Sequence, residues 1–157
     1  MAGIIVTGFT AQDPDFVARV TAEFNAQGVM ARLGMRLDRV EPGKVVISFP
    51  MSAHVTQQNG FVHAGVSTTA LDSAYGFAGI SLIPNTAQIL TAEFKTNLLR
   101  PAAGERFVAE GTVIKPGRNL MVAQGVLYNA EQGPSRQIAI MTATLMVLND
   151  EAAGVSA

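Results

Sequence analysis

The chain has 157 residues, enough for one domain with a sizeable core. Only 15% of its residues are charged and the net charge is −1, with no basic run; this argues against a nucleic-acid partner and suggests surface buried between subunits. Cysteine is absent, which excludes disulfides, thiolate catalysis and Cys-ligated metal; with two histidines and no clustered acids, no metal site is expected.

The opening MAGIIVTGFTAQDPDF has no basic region ahead of its short apolar run, so it does not read as a signal peptide, and residues 1–12 are expected to form a loose arm. Asp13-Pro14 reads as a helix start, with Asp as N-cap and Pro at the first helical position. Phe16, Val17, Val20 and Phe24 recur at helical spacing and Gly28 offers a stop, which predicts a helix over 14–27. From Met35 the pattern changes to two extended runs about a Pro42-Gly43 turn. This is a hairpin with Val45, Ile47 and Phe49 on one face. A polar loop over 51–59 follows.

Residues 61–83 are the centre of the chain. From Val66 to Ile83 the only charge is Asp72, so no face of the run is wet, and it reads as a helix wrapped by the protein itself. A carboxylate there costs several kcal/mol unless paired or hydrogen-bonded. At about 100° per residue, Gly65, Thr68, Thr69, Gly76 and Gly79 fall on the side of Asp72. Helix glycines at roughly 1 kcal/mol each against Ala suggest close approach of a sheet, a second subunit or a ligand. Asp72 is then either a buried structural acid or a functional one. The polar residues Thr68, Thr69, Asp72 and Ser73 argue against a membrane span.

After Pro84-Asn85 four strands are predicted, over 87–99, 106–115, 120–129 and 136–148. The first alternates, with Leu90, Ala92, Phe94 and Leu98 on one face and Thr91, Glu93, Lys95 and Asn97 on the other. The second and third close on Pro116-Gly117, and the last is apolar on both faces, as a central strand should be. The tail over 149–157 is expected to be flexible. There is no βαβ alternation, repeat or phosphate loop. The fold class is α+β, a curved antiparallel sheet around one long helix.

The run Gln57-Gln58-Asn59-Gly60-Phe61-Val62-His63-Ala64-Gly65, with Asp72 nine positions after His63, resembles the hotdog-fold acyl-CoA thioesterases, in their PaaI-like branch. The resemblance covers roughly residues 33–148, and Leu99-Arg100-Pro101-Ala102 adds to it. It implies a single hotdog domain over 13–148. One departure is Ala64, where the family has the first Gly of His-Gly-Gly; backbone chemistry survives that change.

The resemblance implies hydrolysis of an acyl-CoA, with an aryl-acetyl or short-to-medium acyl group. Asp72 would be base or nucleophile, and an N–H of Ala64 or Gly65 at the helix start would polarise the carbonyl, where unpaired amides favour negative charge. Gln57 would orient water or thioester, with Gln58 and Asn59 as neighbours in sequence that could be confused with it. Thr91 would help place the water, and His63 has a positioning role. Asn59, Phe61, Val62 and Tyr75 would meet the substrate. Arg100, Lys115 and Arg118 would meet coenzyme A phosphates. No cofactor is implied beyond the coenzyme A of the substrate. A homodimer or homotetramer with active sites between subunits and a cytoplasmic location are expected, and the polar face of the Thr91 strand could line the interface. Two rivals share the fold: an enoyl-thioester hydratase or dehydratase, and a non-catalytic acyl-CoA-binding module. His63 and Asp72 lie about half a turn apart around the helix, which makes the direct cooperation of a hydratase less natural. A third rival is another α+β fold with Asp72 structural.

Overall fold

The computed structural model describes residues 8–149, so most of the expected arm and nearly all of the expected tail lie outside the described residues. The elements are α1 (Phe16–Ala26), α2 (Gly28–Arg32), β1 (Arg36–Glu41), β2 (Lys44–Pro50), α3 (Ala64–Ile80), β3 (Gln88–Leu98), β4 (Arg106–Lys115), β5 (Leu120–Asn129) and β6 (Gln137–Leu148). The six strands form one antiparallel sheet in the order β1-β2-β4-β5-β6-β3, and α3 lies along its inner face. This is the hotdog architecture. No helix among the described residues is long and apolar enough to cross a membrane.

Alternation builds the inner face. Val45, Ile47 and Phe49 of β2, Phe107 and Ala109 of β4, Ala123 and Leu127 of β5, and Met141 and Leu145 of β6 are all buried. Against them α3 sets Ala70, Leu71, Ala74, Tyr75, Phe77 and Ala78. Each fully buried large side chain contributes about 1.5–3 kcal/mol, so this layer supplies most of the fold's driving force. The closest approach comes from the sheet. Gly111 and Gly125 sit opposite one another on β4 and β5. A Cβ on Gly111 would lie 2.1 Å from the Ala74 carbonyl carbon, and one on Gly125 2.9 Å from Leu71 Cδ2. The helix therefore rests in a groove that only glycine leaves open.

Several expectations change. Asp13 does not cap a helix over 14–27: its Oδ1 accepts from the Asp15 amide at 2.9 Å, closing a turn, and α1 begins at Phe16. Gly28 is not a stop. The chain turns at Gln27, in extended conformation, and Gly28 opens α2, whose Met30 is drawn into the core. The central helix begins at Ala64, after the loop has made its own turn.

The faces of β3 also differ from strict alternation. Register against β6 shifts between Thr91 and Glu93. Thr91, Phe94, Thr96 and Leu98 stand opposite Leu145, Ala143, Met141 and Ala139, all buried, and so face the α3 side. Leu90, Glu93, Lys95 and Asn97 face outward. The bulge at Ala92 moves Thr91 away from the polar side assigned to it.

Candidate active site

Two places on α3 hold the residues singled out by the sequence. The first is its start. Val55 and Val62 are buried and anchor the preceding loop, while Thr56 bridges Val62. Between them the Gln57 amide donates to Phe61 O at 2.8 Å, and Gly60 takes φ +80°, the left-handed conformation that glycine adopts without strain. Gln57 Oε1 accepts from the Asn59 amide, and the Gln57 NH2 has no hydrogen-bond partner among the described residues. Asn59 is exposed and serves this turn.

His63 is extended and caps α3, its Nδ1 accepting from the Gly65 amide at 2.9 Å. In the neutral ring the proton then sits on Nε2. The two expected oxygen-binding amides are thereby separated. Gly65 N–H is engaged, whereas Ala64 N–H, at the first helical position, has no partner among the described residues. A cleft of about 560 Å³ opens here, lined by Gln57, Phe61, Val62, His63, Ala64 and Arg100, with Leu98 and Leu99 of the β3 end as its apolar wall.

Asp72 is the second place, two turns further on. It is half-buried, and its Oδ1 accepts from Tyr75 OH at 2.6 Å and from Thr91 Oγ1 at 2.8 Å. No hydrogen bond among the described residues engages Oδ2. Burial, then the hydrogen bond and charge of Asp72, push the Tyr75 phenol far above its ordinary value, so it stays protonated and donates. The Thr91 hydroxyl gives its hydrogen to the carboxylate, so its expected task of placing water becomes one of holding Asp72. Tyr75 is not a lining residue of the cleft. Its partnership was open to sequence reasoning: Asp72 and Tyr75 are an i,i+3 pair, and a buried tyrosine seeks an acceptor.

The two places are not brought together within one chain. Asp72 lies eight positions after Ala64, roughly 12 Å along the helix axis. Asp72 lines a separate cavity of about 240 Å³. The basic residues also divide. Arg100 borders the cleft and donates to Gln137 O at 2.6 Å. Arg118 borders a cavity beside Leu82 and Pro84, past the far end of α3, on the turn that follows the exposed Lys115 at the end of β4.

β3 is an edge strand, paired only with β6, and Phe94 and Leu98 are about half exposed although they face the helix side. Eleven residues of unpaired edge with apolar side chains beside it form an unfinished surface.

The Thioesterase superfamily matches residues 59–135. Over 131 residues the chain is 32% identical to the medium/long-chain acyl-CoA thioesterase YigI of Escherichia coli K12, covering 73% of this chain and 82% of that protein. The crystal structure of a thioesterase family protein from Silicibacter pomeroyi shares 48% identity at a TM-score of 0.82, over 85% of this chain and 98% of that one. The PaaI protein of the E. coli phenylacetic acid degradation operon is 18% identical at a TM-score of 0.75, over 84% and 92%, which shows a common fold.

Proposed function

Because the chain belongs to the thioesterase superfamily and is a thioester hydrolase, we propose that it hydrolyses acyl-CoA at a site shared by two subunits. The observation that carries this reading is Asp72, a lone carboxylate on a wrapped helix, with Oδ1 held by two hydroxyls and Oδ2 unengaged. Oδ2 takes a proton from water as the water oxygen attacks the thioester carbon. The Ala64 amide, at the positive end of α3, receives the charge that develops on the carbonyl oxygen. Collapse of the tetrahedral intermediate breaks the C–S bond, and the proton held on Asp72 passes to the leaving thiolate, so that the coenzyme A thiol and the free acid are released and the carboxylate is restored. His63 holds the helix start, and the free NH2 of Gln57 steadies the thioester in the cleft. No group beyond the substrate's own coenzyme A is needed.

An Asp72 and an Ala64 roughly 12 Å apart cannot serve one carbonyl. Pairing of two copies along the open β3 edge covers Phe94 and Leu98 and sets the two α3 helices side by side. Antiparallel helices then bring Asp72 of one copy toward Ala64 of the other. In that arrangement Arg100 meets the phosphates from the cleft side, and Lys115 and Arg118 act only if supplied by the second copy. The loop motif from Gln57 to Gly65 supports a place in the PaaI-like branch.

The test is thiol release from aryl-acetyl and aliphatic acyl-CoAs by wild type and Asp72→Asn. We expect a loss of about a hundredfold or more, as removal of a general base should give. Equal rates would remove Asp72 from the mechanism. Binding of acyl-CoA without hydrolysis by wild type would favour a non-catalytic module. The best substrate decides between an aryl-acetyl and an aliphatic pocket.

A further inference from the structure

We propose that the cavity beside Asp72 is a slot for a straight medium-length acyl chain, with Gly76 setting how long a chain it accepts. This rests on the reading of Asp72 as the residue at the reacting carbon.

The slot is distinct from the cleft at the helix start. Asp72, Gly76 and Ile80 line it at four-residue spacing, one stripe along α3, and Ile89 of β3 faces them. Phe77 and Gln27 also line it. Ser73 and Thr91 stand with Asp72 at the end where a carbonyl would react, and beyond it Phe77, Ile80 and Ile89 give an apolar wall in which Gln27 is the further polar residue.

Gly76 is the informative residue. A Cβ there would meet nothing within 4 Å, whereas one on Gly79 would come within 3.0 Å of Leu145 Cδ1. The packing of this chain thus explains Gly79 but not Gly76. A helix-weakening residue stands where alanine would fit, and it faces open space one turn beyond the carboxylate. From Asp72 to Ile80 the helix rises roughly 12 Å. An extended alkyl chain advances about 1.25 Å per carbon, by the bond length and angle of a tetrahedral chain. The slot therefore suits an acyl group of up to about ten carbons, and Gly76 stands about halfway along it.

The experiment compares wild type, Gly76→Ala and Gly76→Leu on butyryl-, octanoyl- and phenylacetyl-CoA by thiol release. Molecular mass and thermal melting are measured on the same samples. Wild type should prefer octanoyl-CoA. In Gly76→Leu the octanoyl-to-butyryl ratio of kcat/KM should fall about 30-fold or more, because a filled pocket rejects several methylenes. Gly76→Ala should move the ratio the same way by a few-fold and melt no lower than wild type. Where Gly76→Leu fails to fold, the Ala variant alone decides. An unchanged ratio in a folded variant overturns the proposal. So does a wild type that cleaves only the phenylacetyl ester, though the hydrolase reading then stands. Loss of the oligomer in Gly76→Leu also overturns it, since the slot would then hold a second copy of the chain. Failure of Asp72 as base appears separately, in Asp72→Asn.

Discussion

The two flanks of α3 are built in opposite ways. Toward β4 and β5 the helix backbone touches the sheet, because Gly111 and Gly125 leave a groove with no side chains in it. Toward β3 the flank is loose. It carries the half-buried Asp72, the open space at Gly76 and an edge strand with exposed Phe94 and Leu98. One flank is closed by the chain's own packing. The other is left for water, substrate and, on the proposed reading, a second subunit. Stability and chemistry are thereby assigned to different sides of one helix, and substitutions should separate them.

The largest effect on stability is expected on the closed flank. Gly111→Ala must push the helix backbone off the sheet, at a cost of about 3 kcal/mol, which lowers the melting temperature by roughly 9 °C. A melt within two degrees of wild type would mean that the groove is not what seats α3. On the open flank, Phe94→Glu places like charges face to face across the proposed subunit contact, which costs several kcal/mol. Sedimentation should then report monomers and thiol release should drop at least tenfold, while an intact dimer would refute pairing along β3. A smaller effect is expected from Tyr75→Phe, which keeps the ring and removes one donor from Asp72. We expect kcat to fall about tenfold with KM little changed.

The same variant has a pH signature. Because the Tyr75 phenol is raised in the folded state, the fold binds its proton more tightly than the unfolded chain does. That contribution is complete below the ordinary tyrosine value of about 10 and is lost as pH climbs beyond it. Tyr75→Phe should therefore show a shallower loss of stability at alkaline pH than wild type. Parallel alkaline curves would contradict a phenol that is buried and held by Asp72.

What could be read from the sequence follows the same division. Strands β4 and β5 emerge at their observed limits because alternation and the Pro116-Gly117 turn are local signals. The wrapped helix is legible from one charge in eighteen residues. The seating glycines are not, since Gly111 and Gly125 acquire meaning only when strand register sets them opposite each other under α3. The bulge in β3 carries no Gly or Pro to announce it, so alternation puts Thr91 and Phe94 on opposite faces although they share one. Asp72 stands out by being costly, but its holders do not. Thr91 arrives from another strand, and Tyr75 looks like any core aromatic until the direction of its hydroxyl is known. The sequence does not separate the two helix-start amides, because only the cap geometry of His63 shows which N–H is taken.

The central claim is that Asp72 and the Ala64 amide act together across two chains. Ala64→Pro deletes that N–H alone: proline suits the first position of a helix, and His63 already has the extended backbone that a residue before proline requires. Asp72→Asn and Ala64→Pro should each be nearly inactive as pure dimers. Unfolded together and refolded as an equal mixture, they should recover about a quarter of wild-type thiol release, since half the dimers are mixed and each holds one intact site. A mixture no more active than its two components would contradict the shared site and return both groups to a single chain.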